Sequence, residues 1–243
     1  MSKTTIPTGG ITADAINSTL IADDAISEEH LDASAITGHT ALAESPADTD
    51  EFLISDGGTL KRIDASYIGG GSWTLLETET ITGSTPSTVD ISSFDSSYNI
   101  HAVLFDNVGS SNDNNQLRHA FSQDSGSNFN VQIYGGGFGH KVDESQSTTE
   151  DNFGSAAAGF VKIAEGVGSG SNEGLSGLIY YTGLKDTNRS TFYWGNTMVH
   201  TDNNKYTNYV LMGRCGTSDI DAIRYNFNAG TFDMGIIKLF GLK

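Results

Sequence analysis

The sequence predicts an all-β protein: an extended, intertwined N-terminal stalk followed by an antiparallel jelly-roll-like sandwich, assembled as a homotrimer. Three observations predict it. The 243 residues include 29 glycines and 3 prolines, with Ser, Thr, Asn and Asp frequent. That is the composition of short strands and tight turns, because Gly and Asn tolerate the positive φ that turns demand. From Trp73 onward, about ten apolar runs of roughly 5–11 residues follow one another with no sustained helical period, as in a sandwich or jelly roll. Before it, Ile11, Ile16, Ile21, Ile26, Leu31 and Ile36 recur every five residues. A period of five is neither the roughly 3.6 of an amphipathic helix nor the roughly 2 of a half-buried strand.

Residues 1–10 form a polar lead with Pro7 and Gly9-Gly10, read as an attachment arm. Residues 11–40 are a ten-residue repeat, with Ile11, Ile21 and Leu31 opening each unit and Ile16, Ile26 and Ile36 closing its first half. Each unit offers two large apolar side chains. That is too little to offset the backbone entropy of ordering it, at about 1–2 kcal/mol per residue. Three copies wound round a shared axis let these six side chains meet and bury, so they are the candidate oligomerisation residues. The competing reading is a disordered acidic linker.

Residues 41–72 hold a small hairpin, Glu51–Ser55 against Thr59–Ile63, turning at Asp56-Gly57-Gly58, and then a short helical or irregular piece. The run Gly69-Gly70-Gly71-Ser72 marks the boundary with the β domain, residues 73–243. Expected strands are Trp73–Ile81, Thr88–Ser92, Tyr98–Val108, Gln116–Ser122, Asn128–Tyr134, Gly174–Gly183, Thr191–His200, Tyr206–Gly213, Ala222–Phe227 and Met234–Leu242. Residues 135–172 read as loose and Gly/Ser-rich, with one firmer piece at Gly159–Ala164. The expected core is Trp73, Leu76, Ile91, Phe105, Phe121, Ile179, Tyr181, Tyr193, Met212, Ile223, Phe227 and Ile237.

The formal charge is −17, from 12 acidic and 3 basic residues in 1–69 and 18 acidic and 10 basic in 70–243. No basic run exists to neutralise phosphates, so neither nucleic acid nor an anionic membrane surface is an expected partner. No apolar run approaches the roughly 18 residues of a membrane-spanning helix. A single cysteine, Cys215, gives no disulfide framework and no CxxC spacing. MSKTTIPTGG lacks the apolar core of a secretory signal, so assembly in a cytoplasm is expected.

The six histidines, His30, His39, His101, His119, His140 and His200, form no HExxH and no His-x-His pair. No metal and no cofactor are expected. His101, in an apolar strand, reads as a hydrogen-bonded interior or interface group. The carboxylates Asp48/Asp50/Glu51, Asp143-Glu144 and Glu150-Asp151 read as solvated, so no enzyme is expected. Asp106-Asn107 and Asn112-Asp113-Asn114 could offer oxygens to Ca²⁺ but lack EF-hand spacing, and a polar turn is the plainer reading. Trp194 and Tyr206 as stacking groups, with Asn196 and Asn208 as hydroxyl partners, make a candidate glycan site. The plainer reading is packing of alternating aromatics at trimer contacts.

Residues 19–68, TLIADDAISEEHLDASAITGHTALAESPADTDEFLISDGGTLKRIDASYI, are similar in wording and order to tail-fibre segments of tailed bacteriophages. The ending, DIDAIRYNFNAGTFDMGIIKLFGLK (219–243), resembles the closing strands of a compact β domain at the tips of such fibres. Trp73 and SSYNIHAVLF (96–105) fit that domain too, while 135–218 match it poorly. The resemblance implies a homotrimeric virion protein made in the host cytoplasm. Its N-terminal region would dock on another virion protein, and its tip would be directed at a host surface glycan. The expected function is therefore a structural tail fibre protein mediating host attachment. The alternative is a capsid decoration, head fibre or tail adaptor protein with no receptor binding.

Overall fold

Alternation of inward apolar and outward polar residues decides most of this chain's structure. A computed structural model describes residues 21, 33–42, 46–47, 49–68, 73–83, 86–201, 205–217 and 219–243. They fall into two compact units, Met1–Gly69 and Gly70–Lys243, divided within the Gly69–Ser72 run.

In the first unit, Ile11, Ile16, Ile26 and Leu31 lie outside the described residues. Ile21 is exposed, and Ile36 falls in a single helical turn, α1 (Ser34–Thr37), where an extended stalk was expected. Strands β1 (Glu51–Asp56) and β2 (Thr59–Asp64) pair antiparallel from Glu51↔Asp64 to Asp56↔Thr59. Gly57 and Gly58 make the turn at φ 59° and 84°. Two left-handed residues in a row are what a two-residue hairpin loop needs to match the strand twist. A short helix, α2 (Ala65–Ile68), follows. None of the described residues of this unit is buried, and Leu53, Leu60 and Tyr67 are 74, 70 and 76 % exposed.

The second unit is a sandwich of antiparallel strands. They are β3 (Trp73–Thr82), β4 (Thr88–Ile91), β5 (Ile100–Ser110), β6 (Asn115–Ser122), β7 (Gln132–Asp143) and β8 (Thr148–Ala158), then β9 (Val161–Val167), β10 (Gly174–Thr182), β11 (Phe192–His200), β12 (Lys205–Cys215), β13 (Ala222–Phe227) and β14 (Phe232–Leu242). One sheet runs β3-β14-β5-β10-β11-β12-β7-β8 and the other β4-β13-β6-β9. Without β7-β8 and β11-β12, the eight remaining strands interleave as the two four-stranded sheets of a jelly roll. The two extra hairpins extend the larger sheet beyond β10.

Residues 135–172, expected to be loose, form most of β7 and all of β8 and β9. Their glycines hide the strand signal because they exist to make room. Tyr193, Gly213 and Gly135 share one row across β11, β12 and β7. A Cβ added at Gly213 would sit 2.3 Å from the Tyr193 ring, so that ring occupies the space its neighbours leave. The Tyr209 ring lies over Gly139 in the same way.

The core lies between the sheets. Ile91, Phe105, Phe121, Ile179, Tyr181, Tyr193, Ile223, Phe227 and Ile237 are buried there and Leu76 packs against them, as expected. Trp73 and Met212 are corrections, at 41 and 64 % exposed. Met212 follows the inward-facing Tyr209 and Leu211 out of phase, which puts it on the outer face. Polar groups also cross the core. His119 Nδ1 lies 3.2 Å from the Tyr181 hydroxyl, which is 2.9 Å from the Tyr225 hydroxyl, and the Thr197 hydroxyl donates to Ile163 O at 3.3 Å.

Candidate functional site

The residues singled out for glycan contact all lie on the outer face of the larger sheet. β11 and β12 alternate strictly, sending Tyr193, Thr197, Thr207, Tyr209 and Leu211 inward. The intervening positions, Trp194, Asn196, Tyr206 and Asn208, therefore point outward and are exposed. They do not form one subsite. Trp194 is paired with Met212, and Tyr206 lies six residues along the same strand, which separates them by about 20 Å at about 3.3 Å per residue. Trp194 is stacked on Tyr180 at 5.6 Å and 18°, and Tyr206 on His200 at 4.7 Å and 7°. Between them, the Asn196 amide donates to the Asn208 carbonyl oxygen.

Trp194 instead walls a shallow groove of about 530 Å³ with Tyr134, Phe192, Met212 and Arg214, floored by Gly136. The Arg214 guanidinium stands 5.3 Å from the Tyr134 ring centre. The walls are almost wholly apolar, so the groove offers stacking and few hydrogen bonds. Tyr134, Tyr180, Phe192 and Met212 were not among the predicted site residues. Strand parity places them on one face once the register is known, since Trp194 pairs with Met212, and Tyr193 and Leu211 beside them are core.

A second concavity, about 260 Å³, lies where Ser96, Tyr98 and Asn99 meet the loop 183–189 between β10 and β11. It is lined mainly by hydroxyls and amides. Its cations are answered locally, Lys185 by Asp219 at 3.2 Å and Arg189 by Asp186 at 3.4 Å, so its local charge is small.

The histidines divide by environment. His101 is buried and its Nε2 accepts the Asp95 backbone N–H at 3.3 Å, and burial holds its pKa below the ordinary value. His119 is fully buried, and desolvation pushes its pKa down to about 3. Both are neutral interior groups. His200 Nδ1 lies 2.6 Å from Asn172 O. His30 and Asp48 fall outside the described residues. Among the described residues, no three His, Cys, Asp or Glu side chains are placed to hold a metal. The Asp113 carboxylate accepts the Ser169 N–H and hydroxyl at 2.9 and 2.7 Å, while Asn107 and Asn114 take left-handed φ of 49° and 55°. Asp113 and Asn114 build the β5–β6 turn, and Asn107 sits at a bulge within β5. Asp151 accepts the Tyr209 hydroxyl at 3.1 Å and lies 3.6 and 3.7 Å from Lys141 and Lys162.

Comparison with protein-family models, with characterised proteins and with solved structures gives no match. The class that fold and surface define is an antiparallel β sandwich joined to a hairpin without a buried core.

Proposed function

We propose that this chain is a structural virion appendage of the tail-fibre kind, working as a homotrimer that attaches a phage particle to its host. The observation that carries the reading is the division of labour along the chain. The sandwich has a complete core, whereas the described hairpin buries none of its side chains and leaves Phe52, Leu53 and Leu60 at 41, 74 and 70 % exposed. A lone two-stranded hairpin is marginal in water. It becomes stable when identical copies cover it, which is the arrangement the isoleucine repeat at 11–36 also calls for. The N-terminal region then joins the copies and docks on other virion proteins, leaving the sandwich free as the tip.

Within the tip, recognition falls to the cleft at the loop 183–189 rather than to Trp194, Asn196, Tyr206 and Asn208, whose stacking and amide partners are their own neighbours. Loops fixed at both ends by strands are where binding groups concentrate. Tyr98, Asn99, Thr187 and Asn188 offer neutral donors and acceptors to the hydroxyls of an uncharged glycan. Three such sites combine by avidity. Particles carrying Asn188→Ala with Arg189→Ala should assemble normally and lose adsorption to host cells. Full adsorption by intact particles with that double change would favour the decoration or adaptor reading.

A further inference from the structure

The larger sheet is covered by the smaller one on one side only. Its other face, over the strands that the two added hairpins bring, is unusually apolar. Trp194, Met198, Met212, Tyr134, Phe138 and Phe192 are 41 to 64 % exposed there. Register places them in rows. Tyr180, Trp194 and Met212 stand side by side across three strands and continue into Gly136 and Gly154. Leu178, Asn196, Val210 and Phe138 form the next row and end at Asn152. Neither of these two central rows contains a charged side chain on its five strands, in a domain with 18 acidic and 10 basic residues. The flanking rows carry Arg214 between Phe192 and Tyr134, and Glu150 in line with Met198.

With about 150–250 Å² per aromatic side chain, these exposures amount to most of the roughly 800 Å² that each partner contributes to a standard interface. That is at the upper end of the roughly 300–600 Å² of the largest apolar patch on a typical monomer. Aromatic residues and Met at the centre, with Arg214 beside them and acidic groups kept to the margin, are the composition of an interface core. We infer that copies of this chain pack against one another through this face. The inference rests on the homo-oligomer reading above and adds a subunit contact made by the sandwich itself.

Charge decides for a second copy over other occupants. Chains at −17 repel one another at long range, so identical copies meet most cheaply where charge is absent from both. A glycan would need free hydrogen-bonding groups, and here the two central amides, Asn196 and Asn208, already bond each other.

The chain carries its own probes. Its two tryptophans, Trp73 and Trp194, both lie on this face, linked through Tyr180, with Trp73 at 6.1 Å and Trp194 at 5.6 Å. Acrylamide quenching of the full-length protein should be several-fold weaker than in full-length Met198→Lys with Met212→Lys, with unchanged circular dichroism. The double variant should also lose mass or tightness in sedimentation velocity. Diluting the native protein through its dissociation range keeps the test decisive should the variant misfold, because quenching must rise as copies separate and stay constant if the face is free. The full-length variant Ile16→Ser with Ile26→Ser and Ile36→Ser separates the two interfaces. An assembly with freely quenched tryptophans that dissociates in this stalk variant would leave the homo-oligomer reading standing and overturn the face contact. A chain monomeric at every concentration would overturn both. Protection of a monomer's tryptophans by a neutral oligosaccharide would give the face to a sugar instead.

Discussion

His119 shows how one side chain links the interior to solution conditions. Its imidazole is wholly buried, edge-on to Tyr193 at 4.6 Å and hydrogen-bonded to the Tyr181 hydroxyl, with Phe121 and Tyr225 around it. None of these neighbours stabilises a positive charge, and Nε2 has no partner within the described protein. Desolvation therefore lowers its pKa from 6.5 to about 3. In the unfolded chain His119 takes up a proton near pH 6.5, and in the fold it refuses one until far lower pH. The unfolded state thus binds more protons across this window, so stability falls as pH drops, by about 1.4 kcal/mol per pH unit for one such group. His101, lowered mainly by burial, acts in the same direction. The exposed Asp95, Asp113, Asp124 and Asp143, held below 3.8 by hydrogen bonds, lose their charge only at lower pH. Urea midpoints measured between pH 7 and 4.5 should fall, and His119→Gln should flatten that slope by about one proton. An identical slope in the variant would contradict the burial argument.

At the scale of strands, glycine and aromatic rows set how the added hairpins pair. The Tyr193 ring fills the space above Gly213 and Gly135, where an added Cβ would meet its hydroxyl oxygen at 2.3 and 1.8 Å. Gly213→Ala must displace a ring packed against His119 and Phe121, and overpacking of this kind costs about 1–3 kcal/mol. The measured cost should shrink in a Tyr193→Leu background, and an equal penalty in both backgrounds would place its origin elsewhere. These rows also explain what the sequence revealed. Strands with an unbroken apolar alternation, such as Ala222–Phe227, and the Asp56-Gly57-Gly58 turn were legible within a residue or two. Strand β7, whose middle reads Tyr134-Gly-Gly-Gly-Phe138, was legible only at its start. The side chains that fill its surface belong to Leu211, Tyr209 and Phe153 on the adjacent strands and to Tyr193 one strand further on. Trp194 and Met212 were separated, one given to a site and the other to the core, because parity across a pair cannot be counted until the register is known. The 183–189 cleft left no sequence signal beyond loop composition, since Tyr98 and Asn99 reach it from a distant segment.

For the whole molecule, two surfaces ask for company: the exposed hairpin of the first unit and the apolar outer face of the second. A chain at −17 gains nothing from long-range attraction to its own copies, so assembly must rest on apolar burial. Each axial isoleucine would add roughly 1.5–3 kcal/mol once buried. The central claim is that the working particle is a set of identical chains. The most direct test is the mass of the full-length protein by sedimentation velocity across a wide concentration range, beside the Ile16→Ser, Ile26→Ser, Ile36→Ser variant. The account predicts one species of three times the 25.8 kDa chain, destabilised or dissociated in the variant. A 25.8 kDa species at every concentration would contradict it.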